Sequence, residues 1–256
     1  MKKSNTILYN LVLNLSKEII KSSGTRKKKK YRNYDEILNN FISNCGNVSL
    51  HSIKNTLTQD DISKAELCYI TGSKLKPLHF KNYELDHDLS DFYHTVYVDV
   101  NKKKCVMTCK GTQKNNISDI LADFYIILGE MEKSGRFSLA EIKFDEIYAK
   151  YKPLKYKFEL NGFSLGGALA LHVFSKNKRK VILNTVFNPG ISPFTSNKIL
   201  NSYVNNKKNR FIYKFGDIIS NTIIQKTPKN FVLISTDLNC QNLLQNHKLS
   251  NFYIEC

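Results

Sequence analysis

The chain has no tryptophan, and acidic residues are scarce: 22 Asp and Glu stand against 39 Lys and Arg, a formal net charge of +17 over 256 residues. It has no C-x-x-C pair and no tight Cys/His cluster, so its six cysteines (45, 68, 105, 109, 240 and 256) do not form a zinc-site pattern. Internal repeats are absent, which excludes solenoid and propeller arrays. No apolar run is long enough to span a bilayer. The best one, Ile7 to Ile20, is interrupted by Asn10, Asn14, Lys17 and Glu18. The Lys2-Lys3 start followed by apolar residues weakly imitates a secretory leader, yet no small-residue cleavage site follows. A cytoplasmic or peripheral-membrane location is therefore expected, with thiols free in a reducing compartment. Basic and aromatic residues do not interleave as they do on nucleic-acid-binding surfaces, so nucleic acid is an unlikely partner.

What is present divides into two parts. Residues 1–34 form a basic extension, with ten Lys and Arg against the single Glu18, a net +9. Leu8, Leu11, Val12, Leu15 and Ile19 fall on one helical stripe there, and a run from Arg26 to Arg32 follows. Such a helix and basic run suit an anionic membrane surface. The same run also fits a nuclear address, a nucleic-acid contact, or a packed helix followed by a solvated loop. Residues 35–256 have the length of one α/β domain that needs no disulfide staples. Helical patterns mark Tyr34 to Ser43, Asp60 to Thr71 and Ser196 to Val204. Strand patterns mark His94 to Val100, Lys104 to Lys110, Val181 to Phe187 and Phe231 to Ser235. Cys105 and Cys109 share one face of their strand, as core residues would.

The densest signal lies at Glu159 to Ala170. A strand with Tyr156, Phe158 and Leu160 on one face runs into Gly162-Phe163-Ser164-Leu165-Gly166, and an Ala- and Leu-rich helix leaves it. G-x-S-x-G between a strand and a helix places a serine at the apex of a sharp turn, where its hydroxyl is exposed beside a base. Bulky flanking side chains would collide with the neighbouring chain, hence the glycines.

Gly162-Phe163-Ser164-Leu165-Gly166-Gly167-Ala168-Leu169-Ala170 resembles the elbow of the class 3 (fungal-type) lipases, with Phe163 where that family commonly has His. The resemblance spans roughly residues 65 to 253. It implies an α/β-hydrolase fold: a central, mostly parallel sheet flanked by helices, here preceded by an N-terminal helical extension. It also implies a Ser-His-Asp triad without metal or cofactor. By the same resemblance Lys110-Gly111-Thr112 ends the oxyanion strand, with Thr112 and the backbone N–H of Leu165 as donors. Lys110 replaces an Arg and loses its planar fork. Asp123, on an amphipathic helix with Ile117, Ile120, Leu121, Phe124 and Leu128, matches the acid that steadies the oxyanion hydroxyl. Gln113 to Ser118 corresponds to the lid, here without its usual Trp. Arg210 to Ile219 follows the segment carrying the catalytic acid, making Asp217 the acid and Asp237 its rival. Of the two histidines after Ser164, His172 sits two turns along the elbow helix and reads as a packed side chain. His247 completes the order Ser, Asp, His. Asn188-Pro189-Gly190 varies the family's turn after the preceding strand. The implied activity is hydrolysis of acylglycerol or glycerophospholipid esters. The alternative is a catalytically silent hydrolase-fold protein that binds lipid or a partner.

Overall fold

The computed structural model describes residues 57–112, 134–191, 197–214, 217 and 230–234. The basic extension, the expected helix at 34–43, Asp123 with its helix, Asp237 and His247 lie outside these residues.

The chain order is α1 (Gln59–Gly72), β1 (His79–Phe80), β2 (Tyr83–Leu85), β3 (His94–Asp99), β4 (Lys104–Cys109), α2 (Gly135–Tyr151), β5 (Lys157–Phe163), α3 (Leu165–Lys176), β6 (Val181–Phe187), α4 (Asn197–Val204), β7 (Asn209–Lys214) and β8 (Phe231–Ile234). The eight strands form one sheet in sequential order. β1 to β4 are joined antiparallel, and β4 to β8 pair in parallel. This is the expected α/β architecture, a mostly parallel sheet flanked by helices.

Sequential order explains the layering. Parallel crossovers are almost always right-handed, so a sheet that grows in one direction places every connecting helix on the same face. α2, α3 and α4 accordingly share one face. Phe137, Phe144, Leu169, Phe174, Leu200 and Tyr203 pack there with Met107, Leu160 and Phe211 of the sheet. α1 precedes the strands and covers the other face, setting Ala65 and Cys68 against Phe187, Ile212 and Val232, and Leu67 against Tyr97 and Val106. With both faces covered, all six residues of β3 are buried. β6 is buried from Asn184 onward, while Ile182 near its start is exposed.

The local signals are ordinary ones. Thr58 caps α1 in a reciprocal box with Asp61, and Ser134 caps α2. Asp99 accepts from the Lys102 N–H in the β3–β4 turn, where Lys103 takes a positive φ of 48°. Cys105 and Cys109 are buried free thiols; burial pushes the Cys109 thiol up to about 12, so it stays protonated and unreactive.

The α1 face carries charges that its sequence pattern hides. Arg210 of β7 makes a two-pronged pair with Asp61, its Nε and Nη2 at 2.6 and 2.7 Å from the two carboxylate oxygens. Burial alone would raise the Asp61 carboxyl, but Arg210 and the Thr58 N–H and hydroxyl hold it below its usual range. Lys64, almost fully buried, lies 3.0 Å from Glu159 of β5 and 2.7 Å from Asp60, and Lys104 lies 2.9 Å from the other Glu159 oxygen. These pairs fix α1 in one register across β4, β5 and β7.

Candidate active site

β3 and β4 are antiparallel with His94 opposite Cys109, while β4 and β5 are parallel with Cys109 opposite Gly162. β6 and β7 continue in parallel, Phe163 beside Phe187 and Phe187 beside Ile212. One edge of the sheet therefore gathers the chain entering His94 and the chain leaving Cys109, Phe163, Phe187 and Lys214. Ligands of α/β proteins bind at this carboxyl edge of the parallel strands.

Ser164 is the single residue between β5 and α3, with φ 56° and ψ −122°. An L-residue pays roughly 1–3 kcal/mol for such a backbone. Its surroundings impose it. The Ser164 N–H donates to the Phe187 carbonyl at 3.0 Å, and its own carbonyl accepts from Ala168 at 3.1 Å and Gly190 at 3.0 Å. A serine that starts a helix usually caps it, but the Ser164 hydroxyl makes no cap hydrogen bond.

The flanking glycines follow from distance. A Cβ on Gly162 would stand 2.2 Å from the Gly166 carbonyl oxygen, and one on Gly166 would stand 2.2 Å from the Cys109 oxygen. One on Gly167 would meet the Pro189 Cβ at 2.9 Å, and one on Gly111 the Phe163 oxygen at 3.0 Å. The elbow is thus wedged between the end of β4 and the turn after β6.

Thr112 and Leu165 share this edge: Thr112 is half-buried just beyond β4, and Leu165 is the first, buried residue of α3. The first N–H groups of a helix have no intrahelical acceptor, which leaves them to bind negative charge. The approach to Thr112 is held from behind. The Lys110 N–H donates to Tyr93 at 2.9 Å, and Nη2 of the buried Arg136 donates to the Lys110 carbonyl at 3.2 Å. That guanidinium lies 3.9 Å from the Tyr93 ring centre, while Lys110 Nζ sits 3.8 Å above Phe92. Lys110 thus holds an aromatic face, and the planar cation at this corner belongs to α2.

Asp217 is fully buried, and its N–H donates to the carbonyl of Lys214, the last residue of β7, at 3.2 Å. Asn188 organises the same corner. With φ 39° it donates its N–H to Ile212 at 2.9 Å, and its Oδ1 accepts from the Lys214 N–H at 2.9 Å. Nothing in the local spacing marked Arg136, whereas Asn188-Pro189-Gly190 was visible as a turn whose clamping role needed the third dimension.

Among the described residues, His172 and His94 are buried. His172 Nε2 lies 2.5 Å from Glu141, edge-on to Phe137. Eight residues along α3 place it about 12 Å from the elbow, so it is the packed side chain expected. His94, at the start of β3, bonds Asp91 through Nδ1 at 3.1 Å. Burial alone would raise the Asp91 carboxyl, but His94 and the N–H groups of Tyr93 and His94 hold it well below the carboxylate range.

The structure therefore brings Ser164, Leu165, Thr112 and Asp217 to one edge; Asp123 and His247 lie outside the described residues. No family model matches the chain, and no curated protein matches its sequence. Solved structures similar in chain course include the Lip2 lipase of Yarrowia lipolytica, 17% identical over 71% of this chain and 80% of that one, TM-score 0.45. A triacylglycerol lipase of Penicillium expansum is 16% identical over 70% and 79%, TM-score 0.46. Naproxen esterase of Bacillus subtilis is 12% identical over 77% and 95%, TM-score 0.34. The fold assignment rests on the strand order and registers above.

Proposed function

We propose that the chain is a serine carboxylic-ester hydrolase of the lipase type, related to the class 3 lipases and acting on acylglycerol or glycerophospholipid esters. The observation that carries this reading is Ser164 itself: a non-glycine residue at φ 56° between strand and helix, its hydroxyl not spent on capping, inside a cage that only glycines allow. Strain of this kind persists where function uses it.

In the proposed reaction Ser164 Oγ attacks the ester carbonyl while His247 takes its proton, and the new oxyanion is met by Thr112 and the Leu165 N–H. Collapse breaks the bond to the alcohol, which leaves with the proton from His247, and the acyl group stays on Ser164. Water then repeats the sequence and frees the acid. Asp217 orients the imidazole and Asp123 steadies Thr112. The ends of β5 and β7 are separated by one strand, about 10 Å at sheet spacing, a gap that one imidazole with a partner on each nitrogen suits. Loss of one oxyanion donor costs about 10²–10³ in rate, and Thr112→Val is expected to show it.

The test is a fluorophosphonate probe on the full chain. Ser164 is expected to label, with labelling lost in Ser164→Ala and strongly slowed in His247→Ala and Asp217→Asn. A folded protein that does not label would establish the silent binding protein instead.

A further inference from the structure

The sheet edge that carries Ser164 also carries, towards β1 and β2, a rim of exposed apolar side chains. β1 and β2 are antiparallel with His79 opposite Glu84, and β2 and β3 are antiparallel with Leu85 opposite Tyr97. The chain entering β1 and the loop leaving β2 therefore emerge on the same sheet edge as Ser164. The first holds Lys74-Leu75-Lys76-Pro77-Leu78 and the second ends at Phe92. Leu75 is 88%, Leu78 56% and Phe92 54% exposed.

The first loop is fastened once to the second and twice to the sheet. Lys76 Nζ donates to the Asp91 carbonyl at 2.5 Å, the Tyr97 hydroxyl to the Pro77 carbonyl at 2.7 Å, and the Leu85 N–H to the Leu78 carbonyl at 2.8 Å. Leu78 is held through its own carbonyl, and Leu75 and Phe92 are the chain neighbours of the linked Lys76 and Asp91. Charge follows the same plan. Lys74 is exposed beside Leu75, whereas two of the loop acids are already paired: the buried Asp86 with Lys150 and Tyr151, the partly exposed Asp91 with His94 and Lys143. Asp88 is the exposed acid. Residues 35–256 carry a net +8 of the chain's +17.

We propose that this rim is the surface by which the folded domain docks on an anionic lipid–water interface. Leu75, Leu78 and Phe92 enter the acyl boundary, Lys74 meets the headgroups, and the carboxyl edge of the sheet faces the membrane. The inference rests on the ester-hydrolase reading for its purpose, but its binding test does not. It also separates the domain's own attachment from any made by residues 1–34.

The absence of Trp provides a clean reporter. Leu75→Trp in the full chain, carrying Ser164→Ala so that no lipid is consumed, is mixed with vesicles of phosphatidylcholine with and without phosphatidylserine. A blue-shifted, brighter emission is expected with the anionic vesicles, and an emission unchanged on vesicle binding would overturn the proposal. Flotation of Leu75→Ser/Leu78→Ser is expected to fall at least tenfold, and Lys74→Gln about fivefold. Both variants should keep full hydrolysis of a water-soluble short-chain ester. Wild-type flotation of the double variant, with binding lost only on removal of residues 1–34, would transfer the role to the basic extension. If no ester is hydrolysed but the rim still controls flotation, the surface stands and the enzyme reading falls.

Discussion

Gly166→Ala asks whether the elbow is wedged as tightly as its distances say. The added Cβ would lie 2.2 Å from the Cys109 oxygen, 2.9 Å from its carbon and 3.0 Å from the Lys110 carbon. That is about 1 Å inside an ordinary C···O contact. The opposing atoms are backbone of a strand buried on both faces, so no side chain can swing away. Either α3 tilts off the sheet or the end of β4 moves with Lys110, Gly111 and Thr112. Overpacking of this sort costs about 3 kcal/mol, or roughly 6–12 °C in Tm for a domain of this size. A 1 Å misplacement of catalytic groups costs on the order of 10² in rate. Far-UV circular dichroism would follow melting, and fluorophosphonate labelling well below Tm would follow the site. Gly135→Ala is the matched control, because nothing lies within 4 Å of its added carbon; it should be neutral or stabilising by about 0.5–1 kcal/mol. A Gly166→Ala protein that melts and labels like the wild type would refute the steric account of the motif.

Two further expectations follow from the same geometry. At Ser164 the positive φ makes glycine the better fit, so Ser164→Gly should be about 1 kcal/mol more stable than Ser164→Ala by denaturant titration, the reverse of their helix propensities; the opposite order would remove the strain argument. At the base of the sheet, Asp61→Asn leaves the Arg210 guanidinium without its carboxylate, and a loss of about 3 kcal/mol is expected. The folded pKa of Asp61 is depressed, so its contribution is present above the unfolded value near 3.8 and is lost as pH falls through the lower folded value. The difference in stability between wild type and Asp61→Asn should shrink as acid titrates that window, and a constant difference would show that the pair is not its source.

The elements around the elbow were legible because their causes are local. Gly162-Phe163-Ser164-Leu165-Gly166 announces its steric problem within five residues, and β3, β4, α1 and β6 each carry their own pattern. α2 went unread although Phe137, Ala140, Phe144, Ile147 and Tyr151 recur at helical spacing, since Lys, Glu and Asp dilute the stripe. β1 and β2 are two and three residues long, too short to show alternation. The site's supports were hidden for another reason. Arg210 reaches Asp61 across 149 residues, and Arg136 meets Lys110 across 26. Such pairs exist only after the sheet has assembled, and composition near either partner does not announce them.

The Ser164 N–H bonded to Phe187 adds, in effect, one more rung to the β5–β6 ladder, and its carbonyl bonded to Gly190 ties it to the turn that follows β6. Its position is therefore inherited from the sheet and that short turn. The segments beyond Thr112, Gly190 and Asp217 can then be lengthened, shortened or exchanged while Ser164 keeps its place. Grafting those segments between scaffolds of this shape is a route to new selectivity in which the walls of the site change and its centre does not.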